Sequence, residues 1–419
     1  MTATPATPVA PVAPARAAHR DPNVLRWLGA YTSSMIGDNI YYLALSWAAV
    51  RSGTPAQAGL VMALSALPRA VLMLGGGVLA DRLGPRRVVI VSDLVRCGAA
   101  LAVAALLFLG SPGLWPLAVL ALVFGAVDAV FVPAVGAMPP RITAPDQLAR
   151  VQGMRGLATR CASVIGAPLG GLGIALGGAA AAFGAAALLI AVSVPLLMAV
   201  RVRRLPETED GTGGDGGGAR GELRAGLRYI RRHPVLAPLM LAIALGDLGF
   251  VGPLNVGVAL LADERGWGAS GLGWVIAGFS VGAGAASLLL TARGRLPYAG
   301  RLAAYSLLGG AVAIGTLPYA PGLLAAVGTA LAIGLLAGLS GVLCSALLQT
   351  HTEPAYLGRV TSVAMLAALG LAPLAMPVAA AAIGVWGTGP VFVVSAAVCA
   401  LGAAVALAAR PLRHAELPR

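Results

Sequence analysis

Residues 114–136 read LWPLAVLALVFGAVDAVFVPAVG, a run whose only charged residue is Asp128. As a helix rising 1.5 Å per residue, it is long enough to cross the roughly 30 Å hydrocarbon layer of a bilayer. Similar runs follow one another along nearly the whole chain, separated by short polar breaks. They place spans at 24–50, 57–80, 88–109, 114–136, 152–176, 179–200, 235–261, 270–291, 302–318, 322–347, 359–384 and 388–409. The chain is 58% hydrophobic and 11% charged, where soluble domains carry about one quarter charged residues. The expected fold class is therefore an all-α membrane protein with twelve transmembrane helices.

The net charge of +13 would suggest nucleic acid as a partner of a soluble protein, but the 29 basic residues, all arginine, follow the bilayer instead. They cluster in alternate connections: Arg16, Arg20 and Arg26; Arg82, Arg86 and Arg87; Arg141 and Arg150; eight between Arg201 and Arg232; Arg293, Arg295 and Arg301; Arg410, Arg413 and Arg419. The positive-inside rule then expects both termini and the long middle segment in the cytoplasm. Arginine in place of lysine throughout, with Ala, Gly and Pro in abundance, points to a GC-rich bacterial genome and so to a bacterial inner membrane. Cys97, Cys161, Cys344 and Cys399 are scattered through the spans without metal or redox spacing. The four histidines, His19, His233, His351 and His414, all lie outside the spans in expected cytoplasmic segments, so neither a metal site nor a catalytic pair is expected.

An internal repeat divides the chain. Gly37-Asp38 recurs as Gly246-Asp247, 209 positions later; the P-x-x-L-x-R-V that begins at Pro145 recurs at Pro354, Pro168 matches Pro377, and Arg86 matches Arg295, all at the same offset. The organisation expected is a disordered tail over 1–23, a six-helix half over 24–200, a cytoplasmic linker over 201–233, a second half over 234–410 and a tail over 411–419. Parallel repeats of this kind are transporter architecture, with the site between the halves. In the linker, GTGGDGGG lacks the Gly-Lys-Ser/Thr of a phosphate loop and reads as a flexible spacer. The following 222–234 segment sets Leu223, Leu227 and Ile230 against four arginines and is expected to lie on the inner membrane surface.

Two motifs sharpen the reading. Gly77-Val-Leu-Ala-Asp81-Arg82-Leu-Gly84-Pro85-Arg86-Arg87 resembles the G-x-x-x-D-R-x-G-R-R signature of the major facilitator superfamily, with Pro85 in place of a basic residue. The resemblance implies a cytoplasmic gate made by Gly77, Asp81, Arg82, Gly84, Arg86 and Arg87. Gly166-Ala167-Pro168-Leu169-Gly170-Gly171 resembles the G-P-x-x-G-G element of that family's exporters, with Ala167 departing from the pattern. Gly37-Asp38 followed by Ala44-Leu45-Ser46-Trp47 is similar to the drug/proton antiporter branch of macrolide-efflux and enterobactin-exporter proteins.

Charged residues inside spans must find a partner, water or a function, since each costs about 2.5–3.5 kcal/mol at mid-membrane on insertion scales. Asp38 lies near mid-span and shares a helical face with Tyr31, Ser34 and Tyr42, beside Asn39. Arg69, on the second span, either pairs with Asp38 or attracts an anionic group of the substrate. Asp128 and Arg160 are expected to form a second intramembrane pair, and Asp93 and Arg96, one turn apart near the inner end of the third span, a local ion pair with the closure arginines. Proton coupling needs a carboxylate loaded from one side and unloaded to the other; Asp38 is the first candidate and its repeat mate Asp247, two turns before Asn255, the second. The reading is a monomeric, proton-gradient-driven exporter of an amphipathic drug, antibiotic, siderophore or other metabolite, without cofactor or enzymatic activity. An uptake symporter or facilitator, and a transporter-like receptor or assembly subunit, are the alternatives.

Overall fold

The computed structural model describes residues 18–110, 113–143, 147–202, 219–293, 298–353 and 356–416. The expected tail and the glycine-rich spacer fall largely outside them. Local signals set the first helices. Asp21 caps α1 (Pro22–Ser52), its Oδ1 accepting the Asn23 amide at 2.8 Å, and Thr54 with Gln57 forms a reciprocal cap on α2 (Pro55–Leu83). Gly84, at φ 83°, makes the one-residue turn into α3 (Pro85–Leu109), a left-handed conformation that favours glycine. After α4 (Trp115–Gly136), a single long helix over Leu148–Met198 is broken at Gly177-Gly178. The chain reverses there, because a Cβ on Gly173 would lie 3.5 Å from Ala182. This helix is therefore two passes, α5 (148–176) and α6 (179–198).

The second half comprises α7 (Leu236–Glu264), α8 (Gly268–Arg293), α9 (Ala299–Thr316), α10 (Leu323–Thr350), α11 (Leu357–Trp386) and α12 (Thr388–Ala408). A π turn over Pro253–Gly257 interrupts α7, where Pro253 offers no amide to the helical ladder. Among the described residues nine helices are long and apolar enough to cross a membrane; the broken one supplies two passes, α1 has the length but a less apolar sequence, and α11 contributes the shorter apolar stretch Gly370–Trp386. The architecture is the expected all-helical one of twelve passes in two six-helix halves.

The halves meet along two seams, α2 against α11 and α5 against α8. The repeat exchanges these seams, since shifting α2 by 209 gives α8 and shifting α5 gives α11. Small residues bring the backbones together. A Cβ on Gly59 would lie 2.5 Å from that of Ala380, and one on Gly171 would lie 2.7 Å from the Ala269 carbonyl. These contacts are repeat mates to within one residue. Ser46 and Asn255, themselves 209 apart, touch where α1 meets α7, the Ser46 hydroxyl donating to the Asn255 carbonyl at 3.2 Å. With the Arg51–Asp263 ion pair at 3.0 Å, these contacts gather at the end of the bundle away from the termini.

At the other end, a helix over Ala219–Arg232 leads into α7. It does not simply lie on a surface: Ile230 is buried, Tyr229 stacks on Tyr356 at 4.4 Å, and the Glu353 amide donates to the Tyr229 hydroxyl at 3.3 Å, while Leu227 is exposed. His233 accepts the amides of Val235 and Leu236 at 3.2 Å, and its ring lies 6.5 Å from that of His351.

Two outcomes follow from these contacts. Burial, then the neighbouring His233, holds His351 below the ordinary imidazole value of 6.5. A base held low stabilises the fold above its unfolded value, and this contribution is lost as pH falls through the folded one. Amide-exchange protection over 219–233 should thus be constant above pH 6.5 and fall on acidification, with the slope reduced in His351→Gln. At the seam, a Cβ on Gly273 would meet the Ala167 carbonyl at 2.6 Å. Overpacking costs about 1–3 kcal/mol, so Gly273→Val should favour an open far end by about five- to 150-fold. The measurement is the labelling rate of Ser46→Cys in a chain with its native cysteines replaced; an unchanged rate would show that the seam yields.

Candidate functional site

The polar face of α1 is turned into the first half, and Arg96 of α3 stands at its centre. Its guanidinium is fully buried and donates to both Asp38 carboxylate oxygens at 2.8 and 2.9 Å, to Asp93 at 2.5 Å and to Asp128 at 3.4 Å. Ser34 accepts from it at 3.3 Å and donates to Asp93 at 3.1 Å; the Ser193 hydroxyl of α6 also donates to Asp93. Phe131 of α4 lies under the guanidinium, 3.9 Å from its ring centroid, a contact that favours a cation. Tyr42 donates to the other Asp128 oxygen at 2.9 Å. Three carboxylates thus converge on one cation across α1, α3 and α4.

This pattern corrects two expected pairs. Asp38 is held by Arg96 and not by Arg69, and Asp128 is held by Arg96 and Tyr42 and not by Arg160. Arg160 faces the second half instead, 3.4 Å from the Ser287 hydroxyl. Asp93 pairs within its own helix, away from the closure arginines. The cause is depth: α3 begins at Pro85, so Arg96 lies eleven residues inside it, about 16 Å along the axis. The signal present in the sequence was Asp93-x-x-Arg96, two charges one turn apart within an apolar run.

The remaining candidates are spread over several cavities. Asn39, Tyr42 and Asn255 line a space of about 310 Å³ between the halves. The Asn39 and Asn255 amides are turned back onto the carbonyls of Met35 and Val251, at 2.7 and 2.9 Å. Arg69 lines a second space of about 300 Å³ with Tyr42 and Asn255. Asp247 lines a third, about 570 Å³, walled by Phe250, Phe279, Ile314 and Ile333 and bordered by Arg160. Neighbouring spaces share walls: Phe250 and Phe279 in one case, Tyr42 and Asn255 in the other. Tyr31 sits apart, its hydroxyl 2.9 Å from Thr159 and its ring beneath Arg155 at 5.4 Å.

Of the gate motif, the side chains of Gly77, Asp81 and Arg82 lie outside the described residues. Gly84 forms the α2–α3 turn, Arg87 is exposed, and Arg86 reaches the end of α6, donating to the Leu197 carbonyl at 3.1 Å and to that of Met198. The α5 motif is a packing surface. Gly166 admits Asn39 and the Ile36 carbonyl, Gly170 faces Ile40, Pro168 and Ala167 approach Gly273, and Gly171 meets Ala269.

Removing Arg96 would leave its carboxylates buried without a counter-ion, a loss of about 3–5 kcal/mol in comparable buried pairs. Arg96→Met is therefore expected to lower the melting temperature of the purified protein sharply, and combining it with Asp93→Asn and Asp128→Asn to restore most of the loss. Equal melting temperatures for wild type and Arg96→Met would show that the cluster does not stabilise the fold.

The comparisons agree with this architecture. Among curated proteins none matches the sequence significantly. The fold is similar to crystal structures of a variant of the nucleoside transporter NupG (TM-score 0.72, 11% identity, covering 93% of this chain and 100% of that one) and of the D-xylose–proton symporter (0.67, 12%, 92% and 95%). It is also similar to a bacterial homologue of the human lysosomal transporter Spinster in an inward-facing, occupied conformation (0.69, 15%, 93% and 96%). At these identities the likeness is one of fold. Residues 27–367 match the family model described as Major Facilitator Superfamily, most of the chain, and the protein belongs to that superfamily.

Proposed function

We propose that the protein is a monomeric secondary transporter of a bacterial inner membrane that exports an amphipathic small molecule in exchange for protons. The observation that carries this reading is the charge count at Arg96: one guanidinium faces three carboxylates in a buried cluster. With all three ionised the cluster would hold two negative charges in excess in a low-dielectric interior, a cost that one bound proton relieves. Asp38 suits the role of proton carrier, since it retains slight exposure while Asp93 has none. Tyr42 joins Asp128 of the cluster to the spaces between the halves, so proton and solute sites adjoin.

The arginine pattern supports cytoplasmic termini, and on that orientation the clustered far-end contacts describe an inward-facing state. The export direction draws on the α5 element, whose glycines and proline form a seam that must open for outward release. Uptake remains the second reading, favoured by the fold shared with the D-xylose–proton symporter.

Transport of amphipathic candidates by membrane vesicles separates these readings. Accumulation in inverted vesicles driven by an acidic interior is expected, with Asp38→Asn abolishing gradient-driven accumulation while leaving solute exchange. Gradient-driven accumulation in right-side-out vesicles would establish uptake instead, and undiminished coupling in Asp38→Asn would remove Asp38 as the proton carrier.

A further inference from the structure

With Asp38 and Asp128 committed to Arg96, Arg69 is left without the partner the sequence suggested. It lies fifteenth in the 29-residue helix α2, at the middle of the span. Its Nε is buried without a hydrogen-bond partner, and among the described residues Arg69 forms no ion pair. A guanidinium stays charged under all ordinary conditions, so it cannot lower its cost by losing a proton. Nor does the repeat require a cation here, because the equivalent position in α8 is Gly278, packed against Val327.

The surroundings describe a binding site. Arg69 borders a cavity of about 300 Å³ with Tyr42 and Ser65 of the first half and Asn255, Ala372 and Met376 of the second. Apolar walls suit an organic body, and the planar guanidinium presents paired donors to a two-oxygen anion. We propose that Arg69 is an oxyanion subsite in the transport path, and that the transported solute is an amphipathic molecule carrying a carboxylate or phosphate. The proposal rests on the transport reading for its direction and coupling, but binding tests it independently of flux. Because the cavity draws walls from both halves, an anion seated there touches both sides of the interface that must rearrange during alternating access.

The test is equilibrium binding to the full chain in phosphatidylcholine nanodiscs, using four probes that share one aromatic body: 1-naphthoate, 1-naphthyl phosphate, neutral 1-naphthamide and cationic 1-naphthylmethylamine. At least one of the two anions should bind about tenfold or more tightly than amide and amine. Arg69→Gln should abolish that preference, and Arg69→Lys should keep part of it. Adding phosphatidylglycerol decides the source of the anion: competition with the probe would preserve the oxyanion subsite and assign its occupant to lipid, overturning the solute class. Equal binding of all four probes to wild type, no binding of either anion, or an anion preference that survives in Arg69→Gln would each overturn the subsite. Should Arg69→Gln fail to fold, the wild-type charge preference alone decides. Anion binding without any proton-driven flux would leave the subsite standing and defeat the transport reading; flux without anion preference would do the reverse.

Discussion

The buried guanidinium of Arg96 is the constraint around which the first half is arranged. It cannot discharge, so the interior must supply counter-ions, and α1, α3 and α4 each contribute one carboxylate. Ser193 extends the network to α6 through Asp93. These bonds fix the rotation of α1, whose Ser34, Asp38 and Tyr42 all face the cluster or the acids bound to it. The repeat carries no copy of it: the positions equivalent to Asp93, Arg96 and Asp128 are Leu302, Tyr305 and Ala337. One half therefore concentrates charge, while the other surrounds Asp247 with an apolar cavity.

Between the halves the physics is different. Glycine and alanine let backbones approach at Gly59, Gly171 and Gly273, giving dispersion contact without interlocking side chains. Such seams can close tightly, yet breaking them strands few buried polar groups. The polar links across the interface among the described residues, Arg51 with Asp263, Ser46 with the Asn255 carbonyl and Arg160 with the Ser287 hydroxyl, are few and partly exposed. Exposed ion pairs contribute little. A rigid, charge-pinned half joined to its repeat by smooth, weakly polar seams is the mechanical arrangement that rocking of one half against the other requires.

Much of this fold was legible in the sequence. Apolar length set the passes, Gly177-Gly178 marked a reversal inside one continuous apolar run, and the constant offset of 209 marked the two six-helix halves that the structure displays. Pairing inside the bundle was not legible, because it depends on how each helix is rotated and where it begins. A third span that starts at 88 puts Arg96 near an end and leaves Arg69 and Arg160 as the basic residues at matching depth, whereas α3 starts three residues earlier, at Pro85. Hydropathy locates the edge of a span poorly where prolines and arginines crowd it, as Pro85-Arg86-Arg87 do before α3.

The corrected pairing separates two tasks that the sequence had merged. If Asp38 and Arg69 neutralised each other, proton and anion would share one pair, and neither could change state without freeing the other. The structure instead keeps the acids on Arg96 and leaves Arg69 in an adjoining cavity. Tyr42 stands between them, its hydroxyl on Asp128 and its side chain in the cavity wall. On the transport reading, a proton arriving at the acids can reorient that hydroxyl, because a protonated Asp128 can donate where the ionised one only accepts. The two sites are then linked through a single rotatable O–H, while Arg96 keeps the helices in register whichever site is filled.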